Sequence, residues 1–245
     1  MQPQTNDREW LKAAILFGLA FYFAFNIVTG NLSNYVNARF DWLSYVAVGL
    51  FAWMGAASVY AILRGDARPG ASYHSGTPSW GMLALVGLPL VMGTLIPSQP
   101  LGVDAAADSG VSLSAASYGG SVAAALERDP LDRNILEWLR VFNSAGAPAS
   151  FDGDRADVIG FVYREPTFND DQFMVARFTM SCCVADASAL GLPVTYAGAA
   201  ELESGAWVQV TGRMQVGDFG EDLMPIVQLD NITVVEQPEH PYLYP

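Results

Sequence analysis

Two adjacent cysteines are the residues of this sequence best suited to special chemistry. Cys182 and Cys183 are its only cysteines, Asp186 follows them closely, and His240 lies near the C-terminus. Two sulfurs, one carboxylate oxygen and one imidazole nitrogen form a ligand set that zinc accepts. No second cysteine pair and no His-x-His cluster accompanies them, so spacing alone does not define the site. The sequence predicts these four residues as candidate metal ligands, with zinc as the candidate cofactor.

Other roles for the pair remain open. Neighbouring side chains on a regular strand point to opposite faces, so both thiolates bind one ion only where the chain turns or bulges. The strand-like run of residues 172–181 ends at the pair and a short helix is predicted over 185–190, which favours a turn. The alternatives are a strained, labile disulfide and simple burial of Cys182 in the core. Asp186 has the simpler role of an acidic residue in a first helical turn.

No set of catalytic residues accompanies the cysteines. The sequence has no Gly-x-Ser-x-Gly, no phosphate-binding loop and no dinucleotide fingerprint. Its only histidines are His74 and His240. We therefore expect a protein that is not an enzyme.

Three apolar stretches precede the cysteine-bearing half of the chain. They cover residues 10–29, 43–63 and 80–96, close to the roughly 20 residues that cross a bilayer. The first is longer than a usual signal-peptide core and no small-residue cleavage site follows it, which favours a retained anchor. The sequence predicts three transmembrane helices that contact membrane lipid.

The basic residues near these stretches predict an orientation. Arg8 and Lys12 precede the first stretch, Arg39 alone lies before the second, and Arg64 and Arg68 precede the third. Because cytoplasmic flanks accumulate Lys and Arg, the N-terminus is predicted to be cytoplasmic. Three crossings in the plasma membrane then place everything after residue 97 outside the cell.

Composition divides the chain into three predicted parts. Residues 1–98 form a membrane anchor, residues 99–128 are a flexible linker rich in Ala, Ser and Gly, and residues 129–245 form an extracytoplasmic domain. That domain begins with an amphipathic helix predicted over 130–143. The chain beyond residue 99 has 21 acidic and seven basic residues, none of them lysine. This charge excludes nucleic acid as a partner.

The C-terminal domain has the sequence pattern of a small β-fold. After residue 157 the apolar periodicity becomes two, with β-branched and aromatic residues typical of strands. Five strands and one short helix in under ninety residues predict an OB-like barrel, with a compact sandwich as the alternative. The predicted fold class is therefore three N-terminal transmembrane helices followed by an all-β, OB-like domain.

Five runs of residues in the second half of the chain carry a family resemblance. They are Gly160 to Tyr163, Arg177-Phe178, Cys182 to Ala187, Trp207 to Gly212 and Pro241-Tyr242. Together they resemble the YcgQ-like family of bacterial membrane proteins, and the resemblance covers the whole chain. The Cys-Cys-x-Ala-Asp run is the most specific of them, and Ala38-Arg39 departs from the Pro-Arg pair that is frequent in the family.

The resemblance implies a function that composition and spacing do not supply. YcgQ-like proteins are companions of a YcgR-like permease, and zinc is a cargo suggested for the pair. The resemblance therefore implies an accessory subunit of a two-component transporter, its β-domain binding a metal ion or substrate. The alternative is a structural subunit of a membrane complex whose β-domain makes only protein contacts.

Overall fold

The protein consists of two compact units, Met1–Gln99 and Pro100–Pro245. The computed structural model describes residues 3–64, 79–115, 119–144, 148–220 and 222–245. The predicted loop that carries Arg68 and His74 lies outside these residues.

Among its described residues the first unit has three apolar α-helices, and most of their large side chains are exposed. Phe21 is 73% exposed, and Trp53 and Leu85 are each 70% exposed. A helix that is apolar all round and not covered by protein is typical of a membrane environment. The helices are α1 (Pro3–Val28), α2 (Asp41–Arg64) and α3 (Trp80–Leu95).

Helix α1 packs against both other helices. Its Phe23 ring stacks on Phe51 of α2 with centroids 5.9 Å apart, and Phe17 lies against Gly55. Since residue numbers rise along α1 as they fall along α2, these two helices are antiparallel.

Helix α3 runs in the same direction as α1. A Cβ atom added to Gly87 would lie 3.6 Å from Ile15, and one added to Gly18 would lie 2.7 Å from Leu90. The contacts therefore advance together along both helices. Glycine allows this close approach because it has no side chain, as at many helix interfaces in membranes.

The third of the three predicted transmembrane helices is shorter than expected. Within the described residues two helices are long and apolar enough to cross a membrane, Asp7–Val28 and Ala38–Arg64, while Trp80–Leu95 is a shorter apolar helix. Its 16 residues extend about 24 Å at 1.5 Å per residue, less than the roughly 30 Å of a hydrocarbon core. The number of helices is thus three, but only two have the expected length.

The second unit is a mixed sheet with short helices around it. Its helices are α4 (Val103–Ser109), α5 (Val122–Glu127) and α6 (Ile135–Ser144). Its strands are β1 (Val111–Ser112), β2 (Arg155–Tyr163), β3 (Gln172–Thr179), β4 (Ser188–Thr195), β5 (Trp207–Phe219) and β6 (Asp222–Val234).

Strand pairing joins five of the six strands in a cycle. The sheet order is β1-β4-β3-β2-β5-β6, and β4 pairs in addition with β6. That added pairing is parallel and joins Val194 to Val227. The pairings of β2 with β3, β3 with β4, β2 with β5 and β5 with β6 are antiparallel. The short β1 adds to β4 in parallel.

The sheet buries side chains on both of its faces. One cluster joins Phe173 and Val175 of β3 to the apolar side of α6, including the fully buried Trp138. The other joins Met174 and Phe178 to residues of α4 and of the C-terminal segment. This two-sided burial explains why residues 173–176 of β3 are all apolar.

The segment predicted as a flexible linker is folded where the structure describes it. It contains α4, β1 and α5, and its Ala106 is completely buried. Small side chains let helix α4 lie close to the sheet. The Ala, Ser and Gly content of this segment therefore reflects close packing and not flexibility.

The prediction of a helix over residues 185–190 is wrong. A single turn of 3-10 helix covers Val184–Asp186, and β4 begins at Ser188 with Gly191 inside it. A Cβ atom on Gly191 would lie 2.7 Å from Val111. The glycine therefore permits the close approach of β1 rather than ending a helix.

Candidate functional site

The two cysteines lie in the turn between β3 and β4, residues 181–186, which is termed the cysteine turn. β3 ends at Thr179, two residues before the turn. Both thiols are free, with Cys182 exposed and Cys183 half-buried. Burial of Cys182 beside Met180 is therefore wrong, because the strand alternation stops before it reaches the cysteine.

Asp186 holds the cysteine turn together. One carboxylate oxygen accepts the backbone N–H groups of Ser181 at 3.2 Å and Cys183 at 3.3 Å, and the other accepts that of Cys182 at 2.9 Å. Cys183 is the N-cap of the short 3-10 helix and Asp186 its third residue, which is a capping-box arrangement. A local structural role for Asp186 therefore accompanies any chemical one.

The turn brings the two sulfur atoms near each other. The distance between Sγ of Cys182 and Sγ of Cys183 is 3.7 Å. Two sulfurs bound to one tetrahedral metal at about 2.3 Å each are roughly 3.8 Å apart. The separation therefore fits two-sulfur binding of a single thiophilic ion.

The surroundings of Cys182 favour its protonated form. The hydrogen bond with Cys183, followed by the hydrogen bond with Asp186, raises the pKa of Cys182 to about 11. For Asp186, burial raises the pKa, but the N–H groups of Cys182, Cys183 and Ser181 outweigh burial and the pKa is lowered. At neutral pH the site thus holds a charged carboxylate beside a neutral thiol.

His240 is not brought into this cluster. It is exposed, and its backbone carbonyl accepts a hydrogen bond from the Arg177 guanidinium. Among the described residues no group of three or more His, Cys, Asp and Glu side chains is arranged to hold a metal ion. Of the four predicted ligands the structure assembles two sulfurs, with Asp186 already engaged by backbone donors.

Sequence reasoning missed the role of Arg177, which fastens the C-terminal segment to β3. Its Nε donates to the carbonyl oxygen of Pro241 at 3.0 Å, and its guanidinium carbon lies 5.8 Å from the centre of the Trp207 ring. Burial lowers the pKa of Arg177, and a charge interaction with Tyr244 opposes that effect. An arginine inside an apolar strand is the only sequence signal of this contact, because 64 residues separate the partners.

The end of the chain continues this attachment up to the cysteine turn. Leu243 pairs with Thr179 in a parallel bridge, its N–H donates to Phe178 at 2.8 Å, and its carbonyl accepts the N–H of Met180 at 3.0 Å. Tyr242 is buried, and its hydroxyl accepts the N–H of Leu101 at 2.9 Å. The C-terminal segment therefore fixes the strand end from which the cysteine turn departs.

Both units match domains of one family. Residues 11–112 match the DUF1980 N-terminal domain, and residues 131–245 match the DUF1980 C-terminal domain. The two matches lie in order and together cover most of the chain.

Two related proteins match over nearly their whole length. The UPF0703 protein YcgQ of Bacillus subtilis (strain 168) is 22% identical over 280 aligned positions, covering 95% of this chain and 98% of that protein. A protein of Streptococcus mutans serotype c (strain ATCC 700610 / UA159), named as a two-component membrane permease complex subunit, is 22% identical over 275 positions, covering 92% and 97%.

A solved structure also matches part of the chain. The small single-stranded DNA-binding protein from Streptomyces coelicolor is 16% identical and covers 34% of this chain and 93% of its own, with a TM-score of 0.23. That score is too low to support an argument about fold or binding.

Proposed function

Because the chain belongs to the YcgQ-like family and carries both DUF1980 domains, we propose that it is an accessory subunit of a two-component membrane permease complex. One observation carries the proposal: the chain aligns with 97% of a protein named as a subunit of such a complex. The partner is then an integral membrane permease subunit, of the YcgR-like type that the sequence resemblance implies. The proposal gives the chain itself no catalytic step.

The proposal places the first unit in the plasma membrane as a multi-pass anchor. The exposed apolar side chains of α1 and α2 support this, since lipid would cover them. Although α3 is short, contacts join its start to α1 and the residues after it to the turn that follows α1. Arg8 lies 5.2 Å from the centre of the Trp80 ring, and Asn34 donates to Ser98 at 2.9 Å. These contacts support α3 as a third crossing that runs in the same direction as α1. The cytoplasmic N-terminus and the extracytoplasmic second unit are proposed from the basic residues that flank the apolar stretches.

The proposal treats the second unit as an OB-like barrel. Its support is the cyclic strand order β2-β3-β4-β6-β5, closed by the pairing of β5 with β2. The pairing of β4 with β6 that completes the ring is short, Val194 with Val227 and Thr195 with Gln228. The cysteine turn follows the end of β3 in this ring.

Metal or substrate binding is proposed at the cysteine turn. Two thiolates at the observed spacing offer ligands for a thiophilic ion such as zinc, and the remaining positions would be filled by water or by the permease. Asp186 and His240 stay candidates as the third and fourth ligands, and both would have to exchange their present hydrogen bonds or positions. Because thiolates are the metal-binding form, the raised pKa of Cys182 means that binding must release a proton.

Co-purification tests the accessory role. The tagged full chain, extracted from its native membranes in mild detergent, should elute with one multi-pass permease at a fixed ratio. The double variant Cys182→Ser, Cys183→Ser should retain that partner, because the anchor is unchanged. Elution of the chain without any membrane protein would contradict the accessory role.

Calorimetry on the same material tests metal binding separately. Zinc should bind the full chain and not the double serine variant, while Ser181→Ala, which keeps the backbone donor to Asp186, should bind as the parent does. Equal binding by all three proteins would contradict a site at the cysteines. Zinc binding to none, with the permease still present, would favour the structural subunit whose β-domain makes only protein contacts.

A further inference from the structure

The cysteine turn has the geometry of a reversible oxidation site. Its two thiols are free, adjacent in sequence and separated by 3.7 Å between sulfurs. A disulfide needs about 2.05 Å between its sulfurs, so bond formation requires rotation of the side chains and an adjustment of the backbone. We propose that Cys182 and Cys183 form a disulfide with each other by exchange with an external disulfide, so that the turn switches between dithiol and disulfide forms.

The adjacency of the cysteines makes such a bond reversible. Consecutive Cα atoms are about 3.8 Å apart across a trans peptide, whereas the Cα atoms of most disulfides are roughly 4.4–6.8 Å apart. Closing so small a ring strains the bond, and strained, exposed disulfides are the easily reduced ones. The bond therefore suits regulation rather than stabilisation of the fold.

Solvent reaches the two thiols unequally. Cys182 is exposed and can meet an external disulfide, while the half-buried Cys183 lies next to it and can complete the exchange. In the orientation of the proposed function the turn faces an oxidising compartment, where such bonds form and persist. The inference itself does not require metal binding.

The external disulfide is the only co-reactant that the oxidation of the two cysteines needs. The Cys182 thiol loses its proton, and its sulfur attacks one sulfur of the external disulfide, releasing one thiolate and leaving a mixed disulfide. The sulfur of Cys183, after losing its own proton, attacks Cys182 in that mixed disulfide and releases the second thiolate. The chain loses two electrons and two protons, and the external disulfide becomes two thiols.

Asp186 holds the two cysteines in this arrangement. Its carboxylate accepts the N–H groups of both cysteines, and the sulfur atoms lie beside each other in the turn that results.

Mass spectrometry of the full chain in detergent tests the inference. After incubation with oxidised glutathione at mildly alkaline pH, the parent chain should lose two hydrogen atoms, carry no glutathione and regain both thiols with dithiothreitol. Cys182→Ser and Cys183→Ser, each with one thiol, should instead accumulate a stable glutathione adduct.

Three results would overturn the inference. They are a stable glutathione adduct on the parent chain, a disulfide between two chains, and two unreacted thiols after both serine variants have reacted fully. Zinc calorimetry and co-purification are measured independently, so failure here leaves the accessory role standing, and failure of that role leaves the disulfide measurement valid.

Discussion

At the level of single residues, the reactivity of Cys182 depends on its two neighbours. Thiolate is the reactive form of cysteine, and Cys183 and then Asp186 raise the pKa of Cys182 to about 11. The thiol is thus accessible but weakly nucleophilic at neutral pH. An exposed Cys182 thiol of low reactivity is consistent with a site that reacts only with a metal ion or an oxidoreductase.

We expect the alkylation rate of Cys182 to keep rising with pH well beyond the range of an ordinary cysteine. Because the thiolate fraction grows about tenfold per pH unit below the pKa, the rate with iodoacetamide should still be increasing at pH 10. Tandem mass spectrometry of the modified peptide measures the rate at Cys182. Cys183→Ser, which removes the largest cause of the shift, should react faster at pH 8, and a parent rate that levels off below pH 9 would contradict this account.

At the level of elements, the contact of Arg177 with the C-terminal segment couples β3 to the chain end. Arg177→Ala removes the hydrogen bonds to the carbonyls of Pro241 and His240. Hydrogen bonds from a charged group contribute roughly 1.5–3 kcal/mol, so local opening should become easier by about 2 kcal/mol, or about 30-fold.

Hydrogen exchange of the C-terminal peptide measures this opening. Exchange at Leu243 should accelerate in Arg177→Ala and stay unchanged in Arg213→Ala, since Arg213 is exposed on β5. Equal exchange in both variants would show that the strand bridge at Thr179 holds the segment without the arginine.

Helix packing in the first unit provides a second prediction at this scale. A side chain on Gly93 would meet the Tyr22 ring, whereas nothing lies within 4 Å of a Cβ on Gly81 of the same helix. Overpacking costs about 1–3 kcal/mol, so Gly93→Leu should lower the melting temperature in detergent by several degrees and Gly81→Leu should not. Equal melting of the two variants would contradict the close packing of α1 and α3.

Much of the second unit could be predicted from its sequence, and the exceptions have physical causes. The alternating pattern of β5 is readable because one face is buried and the other is mostly not. The sequence predicts a flexible linker over residues 99–128 because alanine and serine lack the large apolar periodicity of a packed helix. The structure has α4 and α5 in this segment, and residues of α4 pack against Met174 and Phe178 of β3. His240 stays a predicted ligand, because sequence spacing does not say which side chains long-range pairing brings together, and its described contact is the hydrogen bond from Arg177 to its carbonyl.

At the level of the whole molecule, the described parts of the chain combine a unit of exposed apolar helices with a β-unit. The β-unit exposes the Cys182 thiol, with Cys183 half-buried beside it. In the proposed two-component complex, the helices would contact lipid and the permease, and the cysteine turn would contact cargo or an oxidant.

Thiol labelling in intact cells tests the central claim, that a membrane-anchored chain presents Cys182 and Cys183 outside the cell. After mild reduction, a membrane-impermeant maleimide should label the parent chain at moderately alkaline pH, and the double serine variant should remain unlabelled. Labelling of the parent only after lysis would place the cysteine turn in the cytoplasm. That result would contradict the proposed orientation and remove the oxidising surroundings on which the thiol switch depends.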